Sequence, residues 1–307
     1  MAVFETVRVA AVQATPVILD AEATVEKAIG LVGDAADLGA TLIVFPECFV
    51  SLYPSGVWAA PAATWSSGCA ELWERMWASS VDVAGPLIQR LADTCAERDV
   101  TVAIGVNERE DTRPGSLYNS LFVIGAEGVL HRHRKLMPTM HERVFHGVGA
   151  GDDLDVVELA DGVRVGGLIC WENRMPLARW AVYQGGPQIW VAPTADDSDG
   201  WIASMRHIAI EAGSFVVSVP QFIPSSAFPD DFPMKLPEGV DVFGRGGVCI
   251  VSPNGELLQG PLYDAEGILI ADCDLRDALH AKRYFDVIGH YSRADVFTPR
   301  APEQPPT

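Results

Sequence analysis

Nine short apolar runs constrain the architecture. They are Val7–Gln13, Leu42–Phe45, Val100–Val106, Leu121–Ile124, Val163–Ile169, Ile189–Ala192, Phe215–Val219, Val248–Val251 and Ile268–Ala271. Most are too short for helices and are rich in Val and Ile, which suit a pleated surface. They read as strands of a covered sheet.

Helical patterns fall between them. Asp20 can cap a helix in which Val25, Ala28, Ile29, Val32 and Ala36 share one face. Leu87, Leu91 and Cys95 recur every four residues, and Trp201–Ala212 and Leu275–Phe285 are helix-like. Met175–Gln184 has Pro176 near its start and Gly185-Gly186 after its end, the expected asymmetry. Strands alternating with helices indicate an α/β protein. Periodicity leaves open whether the sheet is parallel or mixed. No repeat or long linker divides the chain, so residues 1–298 are expected to form one domain. Residues 299–307 hold four prolines and are expected to be a disordered tail. Pro/Asp-rich Ile223–Val240 reads as a surface loop.

The formal net charge of −19 disfavours nucleic-acid phosphates and anionic lipid surfaces as partners. The basic run HRHRK, His131 to Lys135, is too short to change this. No run of about 18 apolar residues suggests a membrane span, and MAVFETVRVAAVQ lacks the charged and apolar regions of an export signal. Six cysteines without a CxxC pair suggest reduced thiols and a cytoplasmic protein.

Three reactive residue types sit at strand ends. Glu47 follows Leu42–Pro46, Lys135 follows Gly128–Arg134, and Cys170 ends Val163–Ile169. Ligands of open α/β sheets gather beyond the carboxyl ends of strands, so an acid, an amine and a thiol could converge there. A carboxylate can take a thiol's proton, and an ammonium can stabilise the thiolate or negative charge developing on a substrate heteroatom. Singly, each has a plainer reading. A cysteine ending an apolar strand is ordinarily a small buried hydrophobe. A lone glutamate caps a turn, and a lone lysine is a solvated charge.

The surrounding motifs carry more. LIVFPECFVSLYP (Leu42–Pro54), HRKLMPTMHERVFHGVGAGD (His133–Asp152) and GGLICWENRMPLAR (Gly166–Arg179) resemble the signatures of the carbon–nitrogen hydrolase superfamily, in its order. CWENRMPL resembles plant and plant-like bacterial nitrilases. Departures include Cys48, Ser51-Leu52, Ser214 and the Trp-rich segment 57–84. The resemblance implies a four-layer α-β-β-α sandwich with a mixed sheet, pairing into an eight-layer dimer and in many members into spirals. It implies a Glu47–Lys135–Cys170 triad, with Glu142 as a second glutamate that positions the lysine. Tyr53, Trp171, Glu172, Arg174, Trp190 and Thr194 are the expected substrate-binding residues. A Trp190 projecting inward would favour arylaliphatic or aliphatic nitriles.

The activity so implied is nitrile hydrolysis to a carboxylic acid and ammonia through a cysteine-bound thioimidate and thioester, without metal or organic cofactor. The alternative is an amidase or carbamoylase using the same triad. A zinc site at His131, His133, His141 and His146 is a further reading, but no second ligand pair of suitable spacing is evident.

Overall fold

The protein is described by a computed structural model covering residues 6–63, 69–110, 112–293 and 295–296. The expected tail at 299–307 lies outside the described residues, as does Trp65. In chain order the strands begin with β1 (Thr6–Gln13), β2 (Leu42–Val44), β3 (Thr101–Arg109), β4 (Leu117–Gly125), β5 (Gly128–Arg134), β6 (Val157–Glu158) and β7 (Arg164–Gly167). They continue with β8 (Ile189–Thr194), β9 (Phe215–Pro220), β10 (Phe222–Pro224), β11 (Val242–Val251), β12 (Leu257–Tyr263) and β13 (Gly267–Asp274). The helices are α1 (Ala21–Asp37), α2 (Gly56–Ala59), α3 (Cys69–Ala78), α4 (Pro86–Arg98), α5 (Pro176–Tyr183), α6 (Asp199–Ala212) and α7 (Leu275–Tyr284).

Two mixed sheets result. One has the order β13-β1-β2-β3-β4-β5, and the other β10-β11-β9-β8-β7-β6, with β12 beside β11. Each contains a parallel triplet, β1-β2-β3 or β7-β8-β9, flanked by antiparallel strands.

Strand alternation explains the continuous apolar runs. In β1 and β2, Val9, Ala11, Leu42 and Val44 enter an inner core with Val165, Val191 and Val217 of the second sheet. Their neighbours Ala10, Val12, Ile43 and Phe45 enter an outer core with α1 and α4. The second sheet likewise presents Trp190, Ala192 and Val216 to α5 and α6. Both faces of both sheets are covered, giving the expected α-β-β-α layers. The Asp20 carboxylate caps α1 by accepting from the Ala23 N–H at 2.9 Å, Pro176 opens α5, and α6 ends at left-handed Gly213.

Two local expectations need correction. The run 163–169 is a strand only from Arg164 to Gly167: the Leu168 N–H makes one last bond to the Val191 carbonyl at 3.3 Å before the chain turns through a left-handed Cys170. Segment 223–240 is more than a surface loop: it starts as β10, and Phe228 and Phe232 pack edge-on against Trp58. The Trp-rich segment forms α2 and α3, where Trp73 stacks on Trp77 and Trp58 is buried.

Candidate active site

The site forms where the carboxyl ends of both parallel triplets meet. After β2 the chain stays against β3: the Gly105 N–H donates to Pro46 at 3.0 Å, and the Val50 N–H donates back to Gly105 at 3.2 Å. This carries Glu47 inward. Lys135 is fixed at the end of β5 by two backbone bonds, its N–H to Asn119 at 2.9 Å and its carbonyl accepting from Gly149 at 2.8 Å. Glu142 comes from the short turn Met140–Val144, whose first N–H groups it helps to cap: its Oε2 accepts from the Thr139 N–H at 2.8 Å.

These three side chains form a fully buried cluster. Lys135 Nζ donates to Glu47 Oε1 and to Glu142 Oε2, each at 2.6 Å. Asn119 Nδ2 bridges the same two acids, donating to Glu47 Oε1 at 2.7 Å and Glu142 Oε1 at 2.8 Å. The Tyr53 hydroxyl donates to Glu142 Oε2 at 3.2 Å. Glu47 Oε2 is buried and accepts no hydrogen bond among the described residues. A carboxylate oxygen left bare inside a protein is costly, so such an atom suits one that takes up a proton.

Cys170 arrives from the second sheet at the start of the turn Cys170–Arg174, with φ +53°. That conformation is unfavourable for a side-chain-bearing residue and holds the thiol clear of the strand. Cys48, next to Glu47, and Met140, beside Glu142, also have positive φ. Asn173 Nδ2 clamps the turn by donating to the carbonyls of Leu168 (2.7 Å) and Cys170 (2.9 Å). Thr194, at the end of β8, donates its hydroxyl to Cys170 Sγ at 3.2 Å.

The electrostatics follow from burial and partners. Burial alone would strip Lys135 of its proton, but Glu47 and Glu142 hold it protonated, well above its ordinary range. Glu142 is held far below the carboxylate range: burial works against this, and Lys135 outweighs it. Glu47 is shifted upward, chiefly by burial, with Lys135 opposing. Burial, then the Glu47 charge, push the Cys170 thiol up to about 12, despite Lys135 and Thr194. The resting cysteine is therefore a thiol, as activation by Glu47 requires. Its proton must leave as it attacks.

The thiol opens on a cavity of about 380 Å³, lined by Tyr53, Thr139, Met140, His141, Trp171 and Asp197 among others. This volume lies within the range of small-molecule sites. A narrower apolar recess of about 50 Å³ shares Tyr53 and Ala195 with it and is walled by Leu52, Trp58, Ile223, Phe228 and Phe243. Another cavity, about 550 Å³, lies between α1, α3 and α4 and is lined by neither Cys170 nor Tyr53.

The carbon-nitrogen hydrolase family model matches residues 8–283. The chain belongs to the carbon–nitrogen hydrolase family. Within it the chain stands with the nitrilases. It is 42% identical to a protein named aliphatic nitrilase from Sinorhizobium fredii, over 97% of this chain and 96% of that one. It is 40% identical to Nitrilase 1 of Arabidopsis thaliana, over 98% of this chain and 88% of that one. A carbon-nitrogen hydrolase from Helicobacter pylori shares the fold, with a TM-score of 0.72 at 18% identity over 95% of this chain and 97% of that one.

In this carbon–nitrogen hydrolase not every expected binding residue reaches the cavity. Tyr53 and Trp171 line it, and Thr194 touches the thiol. Trp190 does not project inward. It lies in the outer core against Tyr183, at 5.2 Å between ring centroids, and its indole N–H donates to Asn173 Oδ1 at 2.7 Å. Glu172 is buried behind the turn, where Oε2 accepts from the Ile169 N–H (2.9 Å) and lies 3.0 Å from His133 Nε2, while Oε1 accepts from the Leu136 N–H. Arg174 pairs with Asp196 at 3.1 Å and does not line the cavity. The same Asp196 accepts from the Trp171 indole at 2.7 Å. The four histidines of the zinc reading do not converge: His133 pairs with Asp153 and Glu172, and His146 with Asn107. Sequence reasoning missed Asn119 and Asn173. Their signal was an amide inside or just after an apolar strand, in LYNSLF and CWEN. No described helix is long and apolar enough to cross a membrane.

Proposed function

We propose that this carbon–nitrogen hydrolase is a nitrilase that converts a nitrile and two waters to a carboxylic acid and ammonia, with Cys170 as nucleophile. The observation that carries this reading is the 40–42% identity to proteins named nitrilases over nearly the whole chain. The buried thiol and the bare Glu47 oxygen support it chemically.

Glu47 takes the Cys170 proton as sulfur bonds to the nitrile carbon, and returns it to the nitrogen to give a thioimidate. Lys135 stabilises the charge developing on that nitrogen. The first water adds to the thioimidate with Glu47 as base, the carbon–nitrogen bond breaks, and ammonia leaves behind a thioester. The second water cleaves the thioester, releasing acid and restoring the thiol. Glu142 holds Lys135 for this work, and Thr194 orients the sulfur. No step calls for a cofactor.

The substrate is an arylaliphatic or aliphatic nitrile. The 380 Å³ cavity shares its Tyr53 and Ala195 wall with a recess of about 50 Å³, too small for a second ring. The enzyme is a cytoplasmic homodimer or larger homo-oligomer, joined through α5 and α6, whose Leu177 and Ile210 are exposed. Light scattering that gives only a monomer would remove the oligomer from this reading.

Ammonia release from phenylacetonitrile, benzonitrile, an aliphatic dinitrile and their amides, with wild type and Cys170→Ala side by side, tests the activity. Nitrile turnover that falls by several orders of magnitude in the variant is expected. Turnover of amides alone would overturn the reading.

A further inference from the structure

Behind Glu142 lies a buried imidazole that the chemistry above does not use. The side chains of His146 and Glu142 are both fully buried, and His146 Nδ1 is 3.5 Å from Glu142 Oε1. Its other nitrogen, Nε2, is 2.7 Å from Asn107 Oδ1. Which ring nitrogens carry protons follows from the neighbours. Asn107 Nδ2 donates to the carbonyls of Leu52 (3.0 Å) and Val50 (3.4 Å), which can only accept. This fixes Asn107 Oδ1 toward His146, so Nε2 is the donor. A neutral ring would then leave the Nδ1 lone pair 3.5 Å from Glu142 Oε1. That carboxylate already accepts from Lys135, Asn119, Tyr53 and Thr139, which marks it as ionised. Nδ1 makes no hydrogen bond among the described residues, so its nearest charged neighbour is the Glu142 carboxylate at 3.5 Å, and a lone pair that close to a carboxylate in a dry interior is unfavourable.

We propose that His146 is an imidazolium and a positioning residue, whose charge lets Glu47 and Glu142 both stay ionised around Lys135. The charge count gives the reason. Two buried carboxylates facing one ammonium leave one negative charge in excess, and Glu47, the acid with a bare oxygen, would hold a proton instead of accepting one from Cys170. A second cation balances the cluster. The ionisable groups around it are Glu142 on the same turn, Lys135 from β5, Glu47 after β2, and Tyr53 and Cys170 beyond. Glu108, beside Asn107 on β3, is turned away to Arg132 and Arg134. The role rests on Glu47 acting as the base in the nitrilase reading.

Two measurements decide it. In His146→Gln, loss of the charge makes Glu47 hold its proton to higher pH. The acid limb of kcat/KM should move up by about one pH unit, with kcat reduced about tenfold or more at neutral pH. An unmoved limb, whatever the loss of rate, means that His146 merely fills space, and overturns the proposal. In wild type, with isotope-labelled histidine, both ring nitrogens of His146 should carry protons at neutral pH. A neutral ring with one bare nitrogen overturns the proposal even where the variant fails to fold. That measurement uses no substrate, so failure of the nitrilase reading, seen as no ammonia from any nitrile, is distinguishable from failure of this one.

Discussion

Gly105 lies directly against Glu47. A Cβ placed on it would stand 2.6 Å from Glu47 Cα, 2.4 Å from the Pro46 carbonyl oxygen and 2.6 Å from the Cys48 nitrogen. These are backbone atoms that cannot swing aside, so β3 must be bare at this point for the acid to reach the lysine. Gly105→Ala should lower stability by about 1–3 kcal/mol and kcat by about a hundredfold. Urea denaturation and steady-state kinetics check both, and an unchanged kcat would mean that the position of Glu47 is not critical.

Glu172 ties the nucleophile's turn to the lysine's strand, since one carboxylate accepts from Ile169 on one side and Leu136 on the other. Glu172→Gln turns an amide NH₂ toward a donor and leaves one pair unsatisfied. We expect a loss of about 1–3 kcal/mol and a fall in kcat with little change in KM. A variant with a raised KM and normal kcat would instead return Glu172 to the substrate pocket.

The buried thiols make the fold sensitive to alkali. Burial pushes Cys95, Cys170, Cys249 and Cys273 from an ordinary value of 9.0 up to about 12, and raises Cys48 well above its ordinary value too. The folded chain keeps protons that the unfolded chain gives up. This stabilisation is complete below pH 9 and is lost as pH rises through the folded values. Each thiol then contributes a slope of up to about 1.4 kcal/mol per pH unit. Urea midpoints under reducing conditions should drop steeply from about pH 9 upward. A flat profile there would contradict the thiol burial.

Trp190 and Trp58 should separate by phenotype. Trp190→Ala removes outer-core packing and the Asn173 contact, so it should cost about 3–5 kcal/mol and leave the order of nitrile preference unchanged. Trp58→Ala enlarges the recess beside Tyr53 and should raise kcat/KM for bulkier nitriles relative to small ones. The reverse pattern in a substrate panel would relocate the binding site.

The central strands were legible because both of their faces are covered, which writes them as unbroken apolar runs. That same feature hid the orientation of Trp190: where every residue of Ile189–Thr194 is buried, periodicity cannot say which side a ring faces. β12 was invisible because most of its residues are exposed. Glu47, Lys135 and Cys170 were recognisable from their motifs. The work of Glu172 was not, since it depends on Leu136, 36 residues away in sequence.

Glu47, Lys135 and Glu142 hang from the first sheet, while Cys170 and Thr194 hang from the second, with Ala11, Val44, Val191 and Val217 packed between. The inner core is therefore a ruler as well as a seal. Its thickness sets the reach between the atom that gives up a proton and the atom that takes it. A bulkier side chain at Ala11 would change that gap by prying the sheets apart, far from any reacting group. Turnover in this enzyme thus doubles as a gauge of how tightly its two halves are closed.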